Sequence, residues 1–387
     1  CKGLIRGSSS RKFHSPMPGQ IPQAVINLDA LRHNLACARA AAPRSRVMAV
    51  IKANGYGHGL LRVAAALRDA DALAVARVGE GVQLRDAGSR MRVVVLEGCF
   101  DERELAEAAG RNLDLVFHQP YQLRLLQLAR LPRAPRCWLK VDTGMHRLGF
   151  GLDAALDAYA TLAEAAPGEK RPALMTHLAN ADDLADPYTR EQVASLDPLA
   201  RRLGAPLSIS NSAGILGWPA AHGDWVRPGL MLYGASPFVG GRAASHGLRP
   251  VMTLRSRLIA VNRYEQGDRI GYGGTYVCPE PMPVGVVAVG YGDGYPRHAR
   301  SGTPVLVAGR RAPLIGRVSM DMISVDLRGV PGARVGDPAI LWGEGLPIEE
   351  IAEWADTIPY QLTCGITPRV EVVEAASGSV ASVEGGP

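Results

Sequence analysis

Between residues 47 and 234, short apolar runs rich in branched residues alternate with stretches whose apolar positions recur every three or four residues. The runs are "VMAVIKA" (47–53), "ALAVARV" (72–78), "VVVLEG" (93–98), "LDLVFHQ" (113–119), "CWLKVDTG" (137–144), "ALMTHL" (173–178), "PLSISNS" (206–212) and "VRPGLMLYG" (226–234). Runs of that length and continuity predict parallel strands buried on both faces. The stretches at 60–70, 101–111, 120–130 and 185–203 carry the helical period. Eight strands alternating with helices predict a (β/α)8 barrel of the TIM type over residues 21–245 rather than an open sheet. Beyond residue 250 the period falls to two, in segments such as "TLRSRLIAVNRYEQGDRIGYGGTYV" and "TPVLVAGRRAPLIGRVSMDMISVDLRG" with Gly-Asp and Pro-Gly turn signals between them. That texture predicts a second, mostly β domain over 246–375, with long helices nearly absent until 347–355. Residues 376–387 read as a flexible tail.

The polar residues that interrupt the apolar runs sharpen the picture. Lys52, Glu97, His118, Lys140, His177, Ser212 and Arg227 all fall at or near the ends of expected strands. In such barrels the carboxyl ends of the strands build the active site. Lys52, followed by a Gly-rich turn, is on its own either a solvated strand end or a reactive amine at a barrel mouth.

Composition removes several function classes. The formal charge is +6, but residues 1–20 hold Lys2, Arg6, Arg11 and Lys12 with no acid, and the remainder carries 39 basic against 37 acidic groups. The basicity therefore belongs to a tail, and a nucleic-acid partner is not expected. No stretch approaches the roughly 20 apolar residues of a membrane span. The 1–20 segment has no apolar core and is not read as a secretory signal; Cys1 is read as a remnant or truncated start rather than a lipidated end. Six widely spaced cysteines without a CxxC pair argue against a metal site and a disulfide framework, and favour the cytoplasm.

In chain order the segments "VIKANGYGHG", "KVDTGMHRLGF", "THLANAD", "WVRPGLMLYG", "GYGGTY", "GYGDGYPR" and "GRVSMDM" make residues 22–375 closely resemble the alanine racemases, fold type III enzymes of pyridoxal 5'-phosphate. The resemblance implies racemisation of alanine by a two-base mechanism, supplying D-alanine for peptidoglycan. It makes Lys52 the lysine that holds the cofactor covalently and serves one face of the substrate. Tyr272 matches the base for the other face, reaching the barrel mouth of a partner subunit in a homodimer with shared sites. A racemase needs a base on each side, since one base tends to return its proton to the face it came from. Tyr56, Ser212, Gly229 and Leu230 match the positions that cradle the cofactor's phosphate. Arg227 matches the arginine set against the pyridine nitrogen, where a group that is always protonated leaves the ring a poor electron sink. His177 is expected to brace Arg227 or the catalytic tyrosine. Arg147 matches the arginine that binds the substrate carboxylate, and Lys140 a lysine often carbamylated beside it. Met320 is expected to offer its backbone N–H to the same carboxylate from the partner chain. Asn211, Tyr291 and Asp321 are supporting positions, the last two along the corridor to the site. One departure is Pro368, in "GITPRV", where many members have a phosphate-contacting tyrosine.

Three other readings compete. A broad-specificity amino-acid racemase shares these features. An amino-acid decarboxylase pairs such a barrel with a β domain, but typically sets an acid, not an arginine, at the pyridine nitrogen. A non-catalytic pyridoxal-phosphate carrier built from the barrel alone leaves residues 250–375 and Tyr272 without a purpose.

Overall fold

The first strand of the chain already shows how it is divided. In the computed structural model, which describes residues 21–166 and 171–375, β1 (Gln23–Ile26) does not join the barrel. It pairs with strands from the far end of the sequence, described below. The expected tails at 1–20 and 376–387 lie outside the described residues.

The barrel is an eight-stranded parallel sheet of β2 (Arg46–Val50), β3 (Ala72–Val75), β4 (Val93–Val95), β5 (Asp114–Phe117), β6 (Cys137–Lys140), β7 (Ala173–Met175), β8 (Leu207–Ser208) and β9 (Trp225–Val226). Each neighbour pairs in sequence order, and β9 returns to pair with β2. Between β8 and β9 the closure rests on Asp224 N–H to Leu207 O and Arg227 N–H to Ser210 O, both 2.9 Å. Every strand lies within an apolar run or starts one residue before it, because residues buried on both faces tend to be apolar. Each run is nevertheless longer than its strand. In 226–234 only the first residue, preceded by Trp225, is strand; Pro228 has no N–H to continue the ladder, and Leu230–Tyr233 form a 3₁₀ turn. These residues stay apolar because they remain buried, not because they remain extended. The outer helices include Leu28–Ala41, Leu60–Ala66, Glu102–Gly110, Pro120–Leu128 and Tyr188–Leu203. Asp101 caps the third of these, accepting the Glu104 N–H at 2.8 Å.

The second sheet is organised around one long strand, β10 (Met252–Tyr264). With it go β11 (Arg269–Ile270), β12 (Tyr276–Val277), β13 (Met282–Val287), β14 (Pro304–Val307), β15 (Arg310–Ile315), β16 (Ile323–Asp326), β17 (Pro338–Trp342) and β18 (Glu371–Glu374). β10 is antiparallel to β1, β13 and β17, while β1 is parallel to β18; β11 and β12 form a separate hairpin. Residues 23–26, which the expected boundary placed with the barrel, thus lie in the C-terminal sheet, where Ala24 and Ile26 are fully buried. A four-residue strand carries no mark of which sheet it joins. Two helices follow β17, at Ile348–Trp354, as expected, and at Pro359–Cys364, which was not. The first is tied back to the barrel by the buried Glu349, whose carboxylate accepts the N–H groups of Ser236 and Ala243 at 2.7 and 2.9 Å.

Candidate active site

Lys52 sits immediately past β2, and the backbone turns sharply after it. Ala53, Asn54, Gly55 and Tyr56 all have φ between 51° and 61°, a left-handed turn that contains three residues with a Cβ. Each such residue costs about 1–2 kcal/mol of backbone strain, so the turn must be held. Glu80 accepts the Ala53 N–H at 2.8 Å and, through its other oxygen, those of Ala76 and Arg77. The Asn54 side chain accepts the Leu60 N–H at 2.9 Å. His58, fully buried and kept neutral by burial with a pKa lowered to about 4, bonds the carbonyls of Gly55 and Tyr56 through Nδ1. The turn swings Lys52 and Tyr56 onto one cavity.

That cavity, about 590 Å³, opens at the carboxyl ends of the barrel strands. Lys52, Glu97, Lys140, Arg147, His177 and Arg227 are among its charged and titratable lining. Arg227 is its fixed point. It is 4% exposed, and its guanidinium donates only to neutral acceptors: Ser208 Oγ at 2.7 Å, the carbonyls of Thr176 and Ile209 at 2.6 and 3.0 Å, and His177 Nδ1 at 3.3 Å. Burial lowers its pKa to about 10, so it stays cationic at neutral pH. His177 is held well below its ordinary value by burial and then by Arg227 and the other cations, so it is neutral. A guanidinium has no acceptor; His177 must therefore accept at Nδ1 and carry its hydrogen on Nε2. Burial, then Arg227, Arg147 and Lys52, push Lys140 down to about 8. Lys52 is lowered by burial and by Arg147, against the opposing pull of Glu97 and Glu80. The site thus has surplus positive charge and two amines biased toward their neutral forms.

Hydroxyl donors gather elsewhere on the same wall. Ser212 Oγ accepts the N–H groups of Gly229 at 3.0 Å and Met231 at 3.2 Å, which occupies its lone pairs and leaves its O–H to donate. Asn211 caps the following turn by accepting the Gly214 N–H at 2.9 Å. Tyr56 stacks on Tyr233, ring centres 4.6 Å apart, and lies 5.8 Å from Tyr360. Burial pushes both lining phenols up, Tyr360 to about 12, so each remains a neutral donor. A Cβ on Gly229 would stand 2.6 Å from the Tyr56 hydroxyl, so glycine leaves that oxygen its place. Neutral donors beside surplus positive charge suit an oxyanion such as a phosphate.

The structure brings together Lys52, Tyr56, Lys140, Arg147, His177, Asn211, Ser212, Arg227, Gly229 and Leu230. His118 is not with them: it is buried, its Nε2 at 2.9 Å from the Glu97 carbonyl. Nor are Tyr272, Tyr291, Met320 and Asp321 lining residues of this chain's cavity. Tyr272 is 68% exposed, on a turn where Gly271, Gly273 and Gly274 all have positive φ; Met320 is 51% and Tyr291 40% exposed. Asp321 is engaged by Arg369 at 2.7 Å. Pro368 does not line the cavity either. Sequence reasoning missed Ile358, Tyr360 and Cys364, which the helix Pro359–Cys364 brings to it. Pro359 at a first helical position was the available signal, but six residues are too few to show a period.

Comparison with known proteins agrees with this geometry. Residues 26–237 match the alanine racemase N-terminal domain and residues 251–374 the alanine racemase C-terminal domain. The chain belongs to the alanine racemase family. The alanine racemase of Nitrosococcus oceani is 55% identical over 90% of this chain and 98% of its own. That of Coxiella burnetii is 48% identical over 91% and 98%. The crystal structure of the biosynthetic alanine racemase from Pseudomonas aeruginosa superposes with a TM-score of 0.88 at 43% identity, covering 92% of this chain and all of that one. The barrel followed by a mostly β domain is thus the fold of these isomerases.

One contact joins the Lys52 turn to the helix bearing Tyr360. Gly57, at φ 82°, has its open side against that helix: a Cβ there would lie 2.0 Å from Thr363 O. Both sides are backbone, so neither can swing away. Gly57→Ala is expected to destabilise the protein by about 2 kcal/mol or more, read as a lower urea midpoint than that of Gly88→Ala, whose Cβ would meet nothing within 4 Å. Equal midpoints would show that the two segments are not in contact.

Proposed function

We propose that the chain interconverts L- and D-alanine with pyridoxal 5'-phosphate in the barrel mouth, using Lys52 on one face of the α-carbon and the partner subunit's Tyr272 on the other. The observation that carries this reading is Arg227, a buried cation whose bonds go to neutral acceptors. The cofactor, when bound, draws electrons from the α-carbon and so acidifies its hydrogen. Every other task falls to the chain. Ser212, Tyr56 and Tyr360 offer three neutral O–H donors to a phosphate, and Tyr360 supplies from another helix what Pro368 does not. Arg227, which stays protonated, would hold the cofactor at its ring nitrogen without giving up a proton. That limits electron withdrawal to what exchange of one proton needs, and disfavours side reactions such as transamination. A decarboxylase would require an acid in that place.

Lys52 would hold the cofactor, and its pKa, lowered by burial and by Arg147, favours the neutral Nζ that can take a proton and return it. Arg147 binds the substrate carboxylate. With Lys52 taken by the cofactor, Lys140 is the amine left to reverse its charge: its neutral form would add carbon dioxide at Nζ, release a proton and become an anionic carbamate facing the charges of Arg227 and Arg147. Tyr272 is not among the residues that line this chain's cavity, whose tyrosines are Tyr56 and Tyr360. Tyr272 and the Met320 N–H stand on an outward face of the β domain, which suits delivery across a two-fold axis to a second copy. The product D-alanine would serve peptidoglycan synthesis in the cytoplasm.

Two results follow. Tyr272→Phe removes the proton carrier for the L-isomer, so in deuterated water this variant should exchange the α-hydrogen of D-alanine far faster than that of L-alanine. Equal residual exchange would remove Tyr272 from the mechanism. Lys52→Ala and Tyr272→Ala chains should each be nearly inactive alone. Refolded together, about half the dimers are mixed and each mixed dimer keeps one intact site, so about a quarter of native activity should return. No recovery with heterodimers present would place both bases in one chain.

A further inference from the structure

The opposite end of the barrel holds a second cavity, of about 240 Å³, which the racemase reaction does not use. Its lining comes from residues at or just before the strand starts: Arg44 and Arg46 ahead of and in β2, Arg92 before β4, Arg136 before β6 and Arg171 before β7. We propose that this cavity is a binding site for a compact polyanion, its charge carried by phosphoryl or carboxylate oxygens.

Charge is the first argument. Five guanidinium groups converge on a space smaller than an ordinary ligand pocket, in a chain whose residues beyond the first 20 are nearly balanced. Arg92 is neutralised by the buried Asp114, bonded at 2.7 Å. Among the described residues, Arg44, Arg46, Arg136 and Arg171 have no carboxylate partner within ion-pair distance. Asp224 is the lining acid, and it accepts the Leu207 N–H at 2.8 Å. Crowded like charges repel unless an anion joins them.

Preorganisation is the second. Arg92 lies 5.0 Å over the Trp225 ring and 5.4 Å over Trp138, while Arg46 lies 5.3 Å over Trp225. Trp138 Nε1 donates to Asp114 at 3.2 Å, locking the floor. The rings restrain both guanidinium groups; Arg92 spends its Nε edge on Asp114, whereas Arg46, without a carboxylate partner among the described residues, keeps N–H groups to offer an oxyanion. With cations already over Trp225 and Trp138, little aromatic face remains for a nucleobase. The surplus of more than one charge favours an anion of two or more. The site is therefore matched to a diphosphate or a tricarboxylate group rather than to a nucleotide or a single chloride.

The test uses the cofactor-saturated enzyme, so that the barrel-mouth phosphate site is filled, in 0.1 M NaCl. Pyrophosphate and citrate are titrated by calorimetry against wild type, the Arg44→Ser/Arg136→Ser double variant and Arg46→Gln. Saturable binding of either anion, one per chain, is expected, weakened at least tenfold in the double variant and also in Arg46→Gln, with alanine racemisation unchanged in both. The tighter anion identifies the oxyanion class. Absence of saturable binding, binding unaltered by all three substitutions, or an effect reproduced by NaCl at equal ionic strength would each overturn the proposal.

Discussion

A buried guanidinium without a carboxylate is the constraint around which the barrel mouth is built. Arg227 is held by two backbone carbonyls, a serine hydroxyl and an imidazole, so its charge is hydrogen-bonded but not cancelled. Burying a charge in this way is costly, and the neighbours register it. Burial, and after it Arg227, keeps His177 neutral and lowers Lys140, while Lys52 is lowered by its own burial and by Arg147. The same field that weakens the lysines strengthens the demand for anions. A phosphate, a substrate carboxylate and a carbamate on Lys140 would each relieve it, so the surplus charge favours anionic ligands while burial and that charge together weaken the amines' hold on their protons.

Precision at the mouth depends on strained backbone stabilised from outside. The left-handed turn after Lys52 would not persist in isolation; Glu80, Asn54 and His58 hold it on one side, and the contact of Gly57 with Thr363 sets it against the C-terminal helix on the other. That helix carries Tyr360. The β domain of the same chain therefore completes the wall beside Ser212, while its exposed turn with Tyr272 faces away. The second domain thus lines this chain's cavity through Tyr360 and leaves the Tyr272 turn exposed.

Much of this was legible in the residues, and the failures have physical causes. The eight apolar runs located all eight barrel strands, because burial on both faces leaves a continuous signal. The same runs overshot the strand ends, since burial outlasts the hydrogen-bonded ladder, as after Trp225–Val226. Residues 23–26 looked like barrel because pairing partners more than 200 residues away leave no local trace. The strand-end rule found Lys52, Lys140, His177, Ser212 and Arg227, but also collected His118, whose ring turns to the Glu97 carbonyl. Tyr360 was missed for want of periodicity in a six-residue helix. The arginines at the barrel's other end went unremarked because they are scattered over 128 positions and converge only when the sheet closes.

Burial, with Arg147 beside it, holds the Lys52 amine below an ordinary lysine. The direct measurement is the pH dependence of Lys52 acetylation in the cofactor-free protein, followed by competitive isotope labelling and peptide mapping. The account predicts a midpoint clearly below the ordinary lysine value of about 10.4, rising when Arg147 is replaced by Gln. A midpoint at or above that value, or one indifferent to Arg147→Gln, would contradict it.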